Sequence, residues 1–197
     1  MSTKLLSRLG LFALAALFVV SSSACRADDD DGPGDDTVEL RKDGNNVTGP
    51  VLGFGYHEFA VRFTRDDVAD LVGGNLERVQ FFVGRIPAQL EVVIYGSGTA
   101  TTPGPVRYEA DITARITTTG FREFTLPTPL PIFDEDIWIS IGVLLNESSQ
   151  SIGCDAGPAQ LGGDMILRST DLDWGTFEQR TGESINWNIR GIVSRPL

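Results

Sequence analysis

The stretch Ile137-Trp138-Ile139-Ser140-Ile141-Gly142-Val143-Leu144-Leu145 carries no charge and is apolar at nearly every position. Ile137, Ile139, Ile141 and Val143 fall on one face of an extended chain, with Trp138, Gly142 and Leu144 on the other. A segment apolar on both faces needs cover on both sides, so it reads as a central strand. Around it lie weaker copies of a two-residue period. Phe59, Val61 and Phe63 alternate with Glu58, Ala60, Arg62 and Thr64; Val79, Phe81 and Val83 repeat the pattern, as do Leu90, Val92 and Ile94. Val106–Tyr108, Ile112–Ile116, Phe121–Leu126, Met165–Leu167 and Trp187–Val193 complete a set of short strands bounded by Gly and Pro. Only Thr64–Val72 looks helical: Thr64 can cap, Asp67 sits at the third helical position, and Val68, Leu71 and Val72 share a face. Short, regularly spaced strands with too little helix for parallel crossovers predict an all-β fold, an antiparallel β-sandwich with one short helix.

The 197 residues suit a single domain of ordinary size. With 27 acidic against 16 basic side chains, the net charge of −11 excludes nucleic acid as a partner, because phosphate binding needs clustered Lys and Arg. The single histidine excludes multi-His metal centres. It also leaves any histidine-dependent triad resting on His57, and Glu58 beside it points to the opposite face of a strand. No G-x-S-x-G, P-loop or H-E-x-x-H motif occurs, so the chain is expected to be non-catalytic.

The first residues read as an address. Lys4 and Arg8 precede an apolar run, Leu9–Val20, that is too short for a bilayer span and suits the core of a secretory signal. Ser22-Ser23-Ala24-Cys25 follows, and it resembles the lipobox of bacterial lipoproteins. The resemblance implies cleavage before Cys25 and lipidation of that cysteine, while ordinary signal-peptidase cleavage near Ala24 is the other route. Residues 1–24 are therefore expected to be the signal. Residues 25–50 are expected to be a lipid-anchored linker, whose Ala27–Asp36 stretch (ADDDDGPGDD) is too acidic and Gly/Pro-rich to order itself. Residues 51–197 are expected to be the sandwich. The implied location is the cell envelope, at the outer membrane or cell surface, with the membrane as partner through the lipid. Cys154, the second of two cysteines, is then without a partner and reads as a small buried hydrophobe.

Gly153-Cys154-Asp155-Ala156-Gly157-Pro158, Gly163-Asp164, Trp174 and Asn186-Trp187-Asn188-Ile189-Arg190 together resemble a pattern in accessory domains of secreted bacterial proteins. Those domains are jelly-roll modules similar to the cleaved-adhesin domains of gingipain-type haemagglutinins. The stretches Ala60–Phe82 and Leu90–Ser97 extend the likeness over most of the folded part. It implies surface display and adhesion, with a glycan or an envelope protein as partner, and no chemistry of its own. The alternative is a structural lipoprotein that packs in a larger envelope assembly without a small ligand.

Trp174, between Asp173 and Gly175, is the candidate aromatic platform for a sugar, whereas Trp138 and Trp187 are expected in the core. Asn186, Asn188 and Arg190 form a candidate polar ligand patch; the same side chains could instead tie neighbouring loops together. Asp155, Asp164, Asp171 and Asp173 are candidate Ca²⁺ ligands, without EF-hand spacing, and structural calcium is the one candidate cofactor. For Asp155 the competing reading is a turn residue bonding its own downstream backbone.

Overall fold

The computed structural model describes residues 36–196. The expected signal, Cys25 and the linker before Asp36 lie outside the described residues. Ten strands run β1 Thr37–Leu40, β2 Gly55–Phe63, β3 Asn75–Val83, β4 Gln89–Tyr95, β5 Val106–Asp111, β6 Gly120–Pro131, β7 Ile137–Leu145, β8 Met165–Leu167, β9 Gly175–Thr176 and β10 Ile189–Ser194. They form two antiparallel sheets, one ordered β1-β10-β3-β6 and the other β5-β4-β7-β2-β8-β9. Inward residues of both sheets, among them Phe59, Val61, Phe81, Val92, Ile141 and Val193, share one buried core. This is the expected antiparallel sandwich. β7 sits between β2 and β4, and eight of its nine residues are buried, as its two-sided apolar pattern requires.

Thr64 caps the short helix α1, Arg65–Val68, in a reciprocal capping box with Asp67. A second short helix, α2 at Phe177–Thr181, was not expected. Thr176 and Gln179 form its capping box, and Gly182 ends it at φ 80°. Where a strand was expected at Ile112–Ile116, Thr113–Arg115 forms a 3₁₀ turn. Asp111 accepts a bond from the Thr113 amide at 2.8 Å, and such an Asx turn competes with continued pairing.

Part of the segment expected as linker, from Thr37 on, is built into the sandwich. Thr37–Leu40 is an edge strand on β10, with Thr37 opposite Ser194 and Leu40 opposite Gly191. Beyond it Lys42 and Asp43 are buried. Lys42 Nζ reaches Asp67 at 2.8 Å, and Asp43 accepts from Asn188 and Arg190. This segment looked like linker because its anchors are charged; each is matched by a counter-group distant in sequence.

Trp187 is fully buried and stands edge-on to Phe59 and Phe177, with centroids 4.9 and 5.2 Å away. Its Nε1–H donates to the Met165 carbonyl at 2.8 Å, the partner that a buried indole needs. Cys154 is a free, buried thiol, as expected, and burial pushes its pKa up to about 11.

Candidate functional site

Strand alternation sends Phe59, Val61 and Phe63 into the core and turns Tyr56, Glu58, Ala60 and Arg62 to the outer face of the six-stranded sheet. Register then lines up a row on that face: Asp111 opposite Glu91, Glu91 opposite Gly142, and Gly142 opposite Glu58. A second row holds Glu109, Val93, Ser140, Ala60 and Met165. The third places Tyr95 and Arg62 on either side of Trp138.

Three hydroxyls join these rows. Glu58 is only 5% exposed, and its Oε1 accepts from Ser140 Oγ at 2.6 Å and from the Tyr95 hydroxyl at 2.7 Å. The Tyr56 hydroxyl donates to Glu91 Oε1 and also lies within bonding reach of Glu58. Gly142 makes room for this arrangement: a Cβ there would overlap the Tyr56 hydroxyl and the Glu91 carboxylate. Burial pushes the Glu58 carboxyl above the ordinary range; the charge of Glu91 adds to this, against the lowering effect of the hydroxyl donors. Tyr56 and Tyr95 are pushed well up as well, by burial first and then by the Glu58 charge. Among the described residues no Arg or Lys pairs with Glu58, Glu91 or Asp111. Arg62 on the same face is taken by Asp136 at 2.6 Å.

Beside this network a cleft of about 160 Å³ is lined by Tyr56, Gln89, Glu91, Asp111, Gly142 and Leu144. Like charges directly opposite each other in a sheet, as Asp111 and Glu91 are, destabilise it. A cleft with convergent polar groups and a perturbed carboxyl beside it has the character of a binding site.

The side chains singled out from sequence fall elsewhere. Trp174 is half-buried, edge-on to Trp138 at 5.9 Å, and packs over Ala60 and Met165 instead of offering a free platform. Asn186 and Asn188 are buried at 1% and 0% exposure, which removes them from any ligand patch. Asn188 Nδ2 donates to Asp43 at 2.6 Å, and Arg190 is bound by Asp43 and Glu39 while lying 4.7 Å from the Phe121 ring. These side chains tie the segment after β1 to β10.

The four aspartates do not converge. Asp155 accepts from the backbone amides of Gly44, Gly157 and Asn186, each at 2.8 Å, and from the Asn186 side chain. Burial raises its pKa, but these donors outweigh it and hold the carboxyl below its ordinary value. Asp164 caps α2 through the Glu178 amide at 2.9 Å. Asp171 is held by Arg168 and Arg180, and Asp173 contacts Arg180. Among the described residues no three His, Cys, Asp or Glu side chains gather as a metal would require. The signal for this candidate cleft was present in the sequence as Glu58, Ser140 and Gly142, polar or small residues interrupting two buried strands.

No protein-family model matches the chain, and no curated protein matches it. In structure the chain is similar to the clostridial cysteine protease Cwp84 after propeptide cleavage, at 13% identity and a TM-score of 0.62, over 81% of this chain and 40% of that one. It is also similar to a structure of the cysteine protease and lectin-like domains of Cwp84, a surface layer associated protein of Clostridium difficile. That match has 12% identity and a TM-score of 0.56, over 78% of this chain and 37% of that one. The chain thus spans well under half the length of the chains it matches, and at this identity the likeness shows the fold alone.

Proposed function

We propose that the protein is a surface-anchored, non-catalytic binding module that takes a polyhydroxylated ligand, a glycan, in the cleft between Tyr56, Glu91 and Asp111. The observation that carries this reading is a cleft in which two carboxylates, a tyrosine hydroxyl and the Gln89 amide converge with no basic side chain to satisfy them. Sugar hydroxyls are donors and acceptors at close spacing, which suits such a row of polar groups. The sandwich shared with a protein whose solved structure includes lectin-like domains supports the same reading. Anchoring is proposed through a lipid on Cys25, which places the module at the cell surface.

A glycan array probed with the chain from Arg26, with and without Ca²⁺, tests the ligand class. Retention of a glycan that the Glu91→Ala variant no longer holds supports the cleft. Absence of binding in both buffers favours the structural-lipoprotein alternative. Cys25→Ser is expected to release the full-length protein from membranes, and continued membrane association refutes the anchor.

A further inference from the structure

The Tyr56 hydroxyl has one proton and two carboxylates within reach, Glu91 to which it donates and Glu58 behind it. Glu58 lies outside the cleft lining, yet it is the most buried carboxylate of its row and meets Tyr56, Tyr95 and Ser140. Building on the cleft reading above, we infer that Glu58 is a positioning residue whose protonation state decides whether Tyr56 stays clamped onto Glu91 or is available to a ligand.

The proton count gives the direction. With Glu58 ionised, Tyr56, Tyr95 and Ser140 supply three hydroxyl protons to two carboxylates, and Tyr56 can serve only one of them. Glu91 then shares its donor with a like charge nearby and can accept from ligand hydroxyls. With Glu58 protonated, its own O–H becomes a donor to the Tyr56 oxygen. The chain Glu58–Tyr56–Glu91 is then complete, and it closes over Gly142. Acid therefore shuts the cleft and neutrality opens it.

The groups around Glu58 support a transition of this one carboxyl. From its own strand come Tyr56 and Arg62, the latter paired with Asp136. β4 brings Glu91 and Tyr95, and β5 beyond it brings Glu109 and Asp111. Outward-facing positions of β7 and β8 opposite Glu58 and its neighbours hold no titratable group, only Ser140, Gly142, Trp138, Met165 and Leu167. Burial first, and the Glu91 charge as the next raising influence, lift the Glu58 pKa above the ordinary carboxylate value against the lowering pull of the Ser140 and Tyr95 hydroxyls.

The test needs no ligand. Full-length protein labelled with ¹³C at the glutamate carboxyl and the tyrosine ring is titrated by NMR between about pH 4 and 8, a span covering ordinary and raised carboxyls. The Tyr56 ring signal is expected to shift with the same midpoint as Glu58, and Glu58→Gln is expected to abolish that step while the buried Trp187 indole signal stays in place. Ser140→Ala, which removes a donor from the ionised form, is expected to move both signals to a higher common midpoint. A Tyr56 signal that ignores the Glu58 midpoint, or a step that survives in Glu58→Gln, overturns the inference. If Glu58→Gln fails to fold, the Ser140→Ala shift decides alone. A coupled step together with an empty glycan array would refute the proposed ligand and leave the clamp standing.

Discussion

Replacing Asp155 with alanine probes the junction that holds three distant segments together. Its carboxylate takes the Gly44 amide from the segment after β1, the Gly157 amide from its own turn, and the Asn186 amide and side chain from the approach to β10. Asn186 is 1% exposed, so its orphaned amide loses a partner that water cannot replace, at about 1–3 kcal/mol. Gly44 and Gly157 are half-exposed and recover part of their bonding from solvent, so each adds only about 1 kcal/mol. The sum is about 3–5 kcal/mol, a large fraction of a typical domain's stability. For a domain of this size that lowers Tm by about 8–15 °C, read by circular dichroism at pH 7. The sign with pH follows from the lowered carboxyl. The wild-type advantage is whole above the unfolded value of 3.8 and disappears as pH falls through the lower folded value. A Tm loss under about 3 °C at pH 7 would show that the three segments are held some other way.

Other outcomes follow from the same contacts. Trp187→Phe is expected to cost about 2–4 kcal/mol, since it leaves the Met165 carbonyl without its donor and opens space beside Phe59 and Phe177; unchanged chemical denaturation would refute this. In a Cys25→Ser background, Cys154 should resist thiol reagents at pH 8 in the native state and react at once in denaturant, because its thiol is buried with a pKa near 11; fast native labelling would contradict the burial. Glu58→Gln is expected to raise Tm more at pH 7.5 than at pH 4.5. A carboxyl whose folded pKa lies above its unfolded value binds protons on folding, so its ionisation weighs against the fold as pH rises. An equal effect at both pH values would place the group elsewhere on the titration scale.

The fold was legible where side-chain period alone decides structure. β7, β2 and β4 were readable because a strand's faces are set two residues apart, and α1 because Thr64 and Asp67 form a local cap. α2 was equally local, in Thr176 and Gln179, but its core-facing surface is only Phe177, too little to show a helical period. β1 was hidden because its partner is at the far end of the chain and its anchors are ions that find counter-charges only after folding. The site was the least legible part. Glu58, Glu91 and Gly142 meet through register between strands that are not adjacent in sequence, and a single strand's pattern holds no information about that pairing. Trp174, Asn186 and Asn188 drew attention as residue types, yet each serves packing or loop anchoring.

The most direct test of the account is amide chemical-shift mapping of the ¹⁵N-labelled protein with a glycan retained on the array. Perturbations are expected to centre on Tyr56, Glu91, Asp111 and Gly142 and to vanish in Gly142→Ala. In that variant the added methyl meets side-chain atoms, the Tyr56 hydroxyl and Glu91 Oε1 and Cγ, so both side chains must swing aside, and circular dichroism is expected to show that the fold persists. Perturbations centred on Trp174 or on Asn188 and Arg190, with the cleft unaffected, would contradict it.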